Sequence, residues 1–82
     1  WLRVAKLAEQ SGLPVTSHGV HDLHVHLLAA VPNPSYLEYH GFGLNDFLVN
    51  PLPIANGFAV ASDRPGHGVE LDWDALQKHR ET

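Results

Sequence analysis

The 82-residue chain contains no cysteine and no methionine, and it sets only five Lys and Arg against nine Asp and Glu. Without cysteine there is neither a disulfide framework nor a thiolate metal site. That fits a reducing compartment, and a cytoplasmic location is expected. A net charge of -4 with so few cations argues against a nucleic-acid partner, which needs a basic footprint. No apolar run approaches the roughly 20 residues of a membrane span, and the N-terminus carries no secretory pattern. Internal repeats and low-complexity tracts are also absent. The first residue is Trp1 rather than Met, and it falls inside an amphipathic pattern with no capping residue before it. A chain that has lost its beginning is therefore expected, in preference to a tag or a processing event.

What is present is an ordered composition, 44% hydrophobic and 17% charged. A chain of this length makes one domain at most, or part of one, with a modest core that removes roughly 60–65% of the unfolded surface from water.

Residues Trp1 to Gln10 alternate apolar and polar groups with helical periodicity, and Gly12 and Pro14 supply a C-terminal stop. Pro14 to His18 carries the β-branched Val15 and Thr16 and reads as a short strand, with a turn at Gly19. A second helix follows, from His21 or Asp22 to Val31. Its side bearing Val20, Leu23, Leu27, Ala30 and Val31 is expected to pack on the sheet, with Asp22 suiting the N-terminal dipole. Pro32 and Pro34 end it, and Tyr36 to Tyr39 reads as a second strand. This is a βαβ crossover of an α/β fold. Its strands run parallel and open their C-terminal ends on one edge, where such folds keep their active sites.

After Gly41 the pattern loosens into a loop with one helical turn. Leu52 to Ile54 and Phe58 to Ala61 flank Asn56-Gly57, a strong hairpin signal, and Pro53 confines its strand to an edge or to the start of pairing. Asp63 to Gly66 is a further turn, Val69 to Leu71 a short strand, and Asp72 caps a last helix from Trp73 to about His79.

Seven histidines are present, four of them in HGVHDLHVH. A metal cluster is the tempting reading. On a helix, however, His24 and His26 project about 200° apart, and only His21 and His24 are spaced to chelate together. Ordinary helix-surface and interface histidines are expected, and no metal ligand is assigned. His18 differs because it closes a strand and precedes a glycine, so its ring is expected to point into the mouth of the sheet. An imidazole there is suited to act as base or acid, the bland alternative being a hydrogen-bonded core histidine. Glu38 sits between Leu37 and Tyr39. A carboxyl buried among apolar neighbours stays protonated and donates, whereas a salt-bridged strand-end Glu would not. Neighbouring strands lie about 4.8 Å apart, so both groups can face one substrate.

Four segments carry a resemblance to a known family. They are PVTSH, the helix ending HLLAAVPN, YLE placed so that Glu38 lies twenty residues after His18, and the tail NPLPIANGFAVASDRPGHGVELDW. In order and spacing the chain resembles the C-terminal part of the mandelate racemase and muconate lactonizing enzyme branch of the enolase superfamily. The resemblance implies the C-terminal part of a modified TIM-type (β/α)7β barrel: helix 6, strand 7, helix 7 and strand 8 within residues 1–50. Residues 51–82 would form a tail of hairpin and short helix that returns to an α+β capping domain. It implies that His18 matches the seventh-strand base of the mandelate-racemase-like subgroup, and Glu38 the eighth-strand acid that bonds a substrate carboxylate oxygen. Gly19 and His40 would line the substrate pocket. A histidine at this point disfavours the lactonizing subgroup, which uses lysines.

The implied cofactor is Mg²⁺, with its ligands on earlier strands outside this chain. The expected function is a share in Mg²⁺-dependent abstraction of the proton next to a carboxylate through an ene-diolate, foremost in dehydration of a sugar acid. Racemisation or epimerisation of a 2-hydroxy acid is the runner-up. The expected partners are that small carboxylate, the remainder of the barrel and cap, and further copies in a homo-oligomer, since an open sheet edge invites association. Two strands cannot close a barrel, so the chain alone is expected to be inactive. The contrasting reading is a non-catalytic chain, either an inactive fragment or a small His-rich metal-binding module.

Overall fold

The computed structural model describes residues 1–39 and 44–81. Helix α1 spans Leu2–Gln10 and ends as its sequence requires. Gly12 takes φ +70°, the Gly12 N–H donates to the Glu9 carbonyl, and the Leu13 N–H reaches back to the Ala8 carbonyl. These are the two bonds of a Schellman stop, which only a residue free of Cβ strain closes cheaply. Of the apolar groups expected to half-bury this helix, Ala5 is buried, while Leu2, Val4 and Leu7 remain on the surface.

The chain then turns into the extended segment that carries Val15. Its pairing with the later segment is parallel, as expected, but shorter and shifted. Val15 bridges Pro34, the Val15 N–H donates to the Asn33 carbonyl, and the Ser35 N–H donates to the Val15 carbonyl. Residues 36–39, expected as the second strand, lie outside any ladder. The reason is geometric: each strand of this pair has a neighbour on one side only, and two hydrogen bonds do not propagate a sheet. The join is reinforced by Asn33, whose Nδ2 donates to the carbonyls of both Ala5 and Leu13, at 3.1 and 3.0 Å. One amide thereby ties α1, its stop and the parallel pair together. The Trp1 indole adds a bond to the Thr16 carbonyl at 3.2 Å.

Helix α2 spans His21–Ala30, within a residue of the expected bounds, with Asp22 in its first turn. Its packing face was misread. The buried stripe is His21, Val25 and Leu28, whereas Val20 and Leu23 of the expected face are exposed. Both sets repeat at helical spacing on nearly opposite sides, so periodicity alone could not choose between them. The buried side faces the 34–39 segment and the tail. Of the helix histidines, His21 is an interface residue, only 1% exposed.

The tail is built from local turns. A 3₁₀ turn at Asn45–Phe47 is the expected helical turn. Strands β1 (Ile54–Ala55) and β2 (Phe58–Ala59) pair antiparallel around Asn56 and Gly57, which take φ 53° and 80°. Positive φ at both central residues is what a two-residue hairpin turn demands. Pro53 sits where expected, at the start of the pairing: it has no N–H to give, and its carbonyl accepts from Val60 N–H. Leu71 bridges Leu48 antiparallel, the form taken by the expected Val69–Leu71 strand. Asp72 caps helix α3 (Trp73–Gln77) through its Oδ1, which accepts the Ala75 N–H at 3.1 Å.

The buried apolar set is Ala5, Val25, Leu28 and Leu48, while Tyr36, Phe58 and Trp73 are largely exposed. The radius of gyration is 14.8 Å, against about 12 Å for a compact chain of this length. Much of the apolar surface is thus left uncovered by the chain itself. No helix among the described residues is long and apolar enough to cross a membrane.

Candidate active site

The site grows out of the parallel pair. Val15 and Pro34 lie side by side, so three or four residues further on, both segments reach the same edge of the pair. His18 stands at the tip of the first and Glu38 at the tip of the second. Their side chains meet: His18 Nε2 lies 3.8 Å from Glu38 Oε2. The same oxygen accepts the Gly19 N–H at 3.3 Å. Gly19 takes φ +89°, in the left-handed region, so the chain can turn sharply into α2 and still aim its amide at the carboxylate.

Three of the four residues singled out from the sequence therefore converge on one point. The fourth, His40, lies outside the described residues. The expectation that Glu38 is buried among apolar neighbours is not met within this chain, where its side chain is 44% exposed and that of His18 94% exposed. An ion pair this open to solvent contributes little to stability. Its interest is chemical. An imidazole and a carboxyl side by side can engage adjacent atoms of one small molecule, the first moving a proton on or off carbon and the second bonding the oxygen where charge develops.

Sequence reasoning missed what stands behind the tips. The buried His21 ring packs against the Tyr39 ring, with centroids 4.5 Å apart and a 41° tilt. His21 Nε2 also lies 3.6 Å from Asp22 Oδ2, both side chains being almost wholly buried. The adjacency of His21 and Asp22 was a faint signal, and the Tyr39 contact left none. On the same helix His26 Nε2 contacts the His67 carbonyl at 2.7 Å, pinning the tail to α2. Among the described residues, no three His, Asp or Glu side chains stand close enough to hold a metal ion. The described residues do not by themselves form a magnesium site.

Residues 1–75 match the enolase C-terminal domain-like family, and the chain belongs to it. Its fold is the α/β fold of that domain, consistent with part of a TIM barrel. Among curated relatives, the chain is 53% identical over 74 residues to the 3,6-anhydro-alpha-L-galactonate cycloisomerase of Streptomyces coelicolor, covering 90% of this chain and 20% of the relative. It is 33% identical over 85 residues to the D-xylonate dehydratase of Haloferax volcanii, covering 94% of this chain and 21% of that protein. Among solved structures, a racemase from Streptomyces coelicolor A3(2) with bound magnesium superposes with a TM-score of 0.84 at 47% identity, over 94% of this chain and 21% of that one. The chain thus spans about a fifth of the length of the relatives it matches.

Proposed function

We propose that this chain supplies two side chains, His18 and Glu38, to an enzyme that removes the proton next to the carboxylate of a sugar acid and then expels a β-oxygen. The observation that supports this best is their convergence at one edge of a parallel pair, 3.8 Å apart, with the Gly19 amide on the same carboxyl oxygen. His18 takes the α-proton, or returns one to the departing oxygen. Glu38 hydrogen-bonds the substrate carboxylate oxygen as the ene-diolate forms, and Gly19 and His40 line the pocket beside them. When the expelled oxygen is a hydroxyl, it leaves as water and the reaction is a dehydration.

A second reading is favoured by the 53% identity to a cycloisomerase of an anhydro sugar acid. If the expelled oxygen is the ether of an anhydro ring, the same C–O bond breaks, the oxygen stays attached through its other carbon, and the product is an isomer. Racemisation shares the proton abstraction but returns the proton without expelling oxygen.

We place residues 1–50 as helix 6, strand 7, helix 7 and strand 8 of a (β/α)7β barrel, and residues 51–82 as a tail toward a capping domain. The exposed Tyr36, Phe58 and Trp73 would be covered by the rest of the protein. The ligands of the magnesium that the solved relative binds are assigned outside this chain. A homo-oligomer in the cytoplasm completes the proposal.

The test is turnover of aldonic, aldaric and anhydro-aldonic acids with magnesium by the complete protein that contains this chain. A product lighter by one water supports dehydration, a ring-opened isomer supports the second reading, and an epimer supports racemisation. Failure of every carboxylate tested to exchange its α-proton with solvent would overturn all three. Turnover by the 82 residues alone would overturn the division of the site between this chain and the rest.

A further inference from the structure

Glu38 stands four residues beyond the Val15–Pro34 bridge. Among the described residues, the backbone bonds that join the two segments both lie at Val15. Two such bonds do not determine where a side chain four residues later will lie. The Gly19 N–H that reaches the half-exposed carboxyl group holds only its far end, and proton transfer and oxyanion bonding lose rate steeply when a group shifts by about 1 Å.

The next residue supplies what the ladder does not. That residue is Tyr39. Its ring lies on His21, which is 1% exposed and sits in the first turn of α2, three residues after His18. The other end of Tyr39 is held as well, since Asn45 Nδ2 of the 3₁₀ turn donates to the Tyr39 hydroxyl. Tyr39 is thereby clamped between α2 and the tail. The helix turn that clamps it is continuous with Gly19 and His18.

We infer that Tyr39, stacked on the buried His21, is the positioning residue that holds Glu38 in register with His18. The inference rests on the reading of Glu38 as the group that bonds the substrate carboxylate. The clamp joins the tip of one segment to the start of the helix leading from the other, so the two reactive groups move as one unit. Asn45 extends the same clamp to the tail.

The experiment uses the complete enzyme with its sugar-acid substrate and four variants: Tyr39→Leu, Tyr39→Phe, Asn45→Ala and Glu38→Asp. Removing the ring should lower kcat by about ten- to a hundredfold with KM changed by less than about threefold, because a displaced group is lost mainly from the transition state. Tyr39→Phe keeps the stack and should recover most of that loss. Asn45→Ala leaves the stack in place and should lower kcat by only about two- to threefold, as a single neutral hydrogen bond at the edge of the clamp would. In a Glu38→Asp background, whose shorter side chain already misplaces the carboxyl, Tyr39→Leu should cost little more. Such non-additivity marks two residues acting through one group.

Equal losses in the two backgrounds, or a Tyr39→Phe variant as slow as Tyr39→Leu, would overturn the inference. Should Tyr39→Leu not fold, Tyr39→Phe and Asn45→Ala decide it: a loss in Tyr39→Phe as large as in Glu38→Asp overturns it, and near-native kcat in Tyr39→Phe with a small loss in Asn45→Ala supports it. If Glu38→Asp itself is fully active, the role given to Glu38 fails, a result separate from any of these.

Discussion

The two halves of this chain are held together by different kinds of contact. In residues 1–39 the contacts that matter join groups far apart in sequence: Asn33 to Ala5 and Leu13, Trp1 to Thr16, Gly19 and His18 to Glu38. In residues 44–81 most are closed within a few residues. Arg64 donates twice to the Gly68 carbonyl, Val69 N–H donates to the His67 ring, Asp72 caps its own helix, and Asn56-Gly57 folds a two-residue hairpin. Among the described residues, three of the four buried apolar ones, Ala5, Val25 and Leu28, lie in the first half, with Leu48 in the second. The tail is shaped by turn chemistry and anchored to the first half through His26 and His67. The first half is shaped by convergence, and convergence is what brings reactive groups together.

Substitutions should separate the halves accordingly. The largest effect belongs to His18→Ala in the complete enzyme, where exchange of the substrate α-proton in deuterium oxide should fall by about 10²- to 10⁴-fold, the usual range for a lost general base. Undiminished exchange would remove His18 from the mechanism. Glu38→Ala should lower kcat by about 10²-fold, as losing a donor to a developing oxyanion does, with unchanged melting temperature because the side chain is half open to water.

Asn33→Ala comes next and tests structure rather than chemistry. Losing two hydrogen bonds that tie α1 to the parallel pair should cost about 2 kcal/mol in denaturant unfolding. The smallest effects belong to the tail. Gly57→Ala, at φ 80°, should destabilise by about 1 kcal/mol from backbone strain. Asp72→Ala should cost about 1 kcal/mol for the lost cap. Both should leave kcat unaltered. A tail variant remote from Asn45 that lowered kcat without lowering stability would break the contrast between the halves.

The same contrast governs what could be read from the residues in advance. The helix stop at Gly12, the Asn56-Gly57 hairpin, the Asp72 cap and the bounds of α2 were legible because each depends on neighbours in sequence. The buried side of α2 was not, because two apolar stripes on one helix satisfy periodicity equally well. The second segment pairs two residues earlier than its strand propensity suggests, and at a single bridge, since propensity says nothing about how many partners are present. At the candidate site, His18 and Glu38 were legible from their strand-end positions and family spacing, but the openness of Glu38 was not. The clamp of Tyr39 on His21 left no mark in the pattern at all.

The residues by themselves determined the local stops and turns, the βαβ order and the positions of the two candidate site residues. These follow from φ preferences, capping and periodicity, which act over a few residues. Only the tertiary structure decided that His18, Gly19 and Glu38 meet at one point, that His21 is buried, and that Tyr39 packs against it. Such contacts join residues about twenty apart, and chain connectivity constrains them too weakly for local rules to choose among the alternatives.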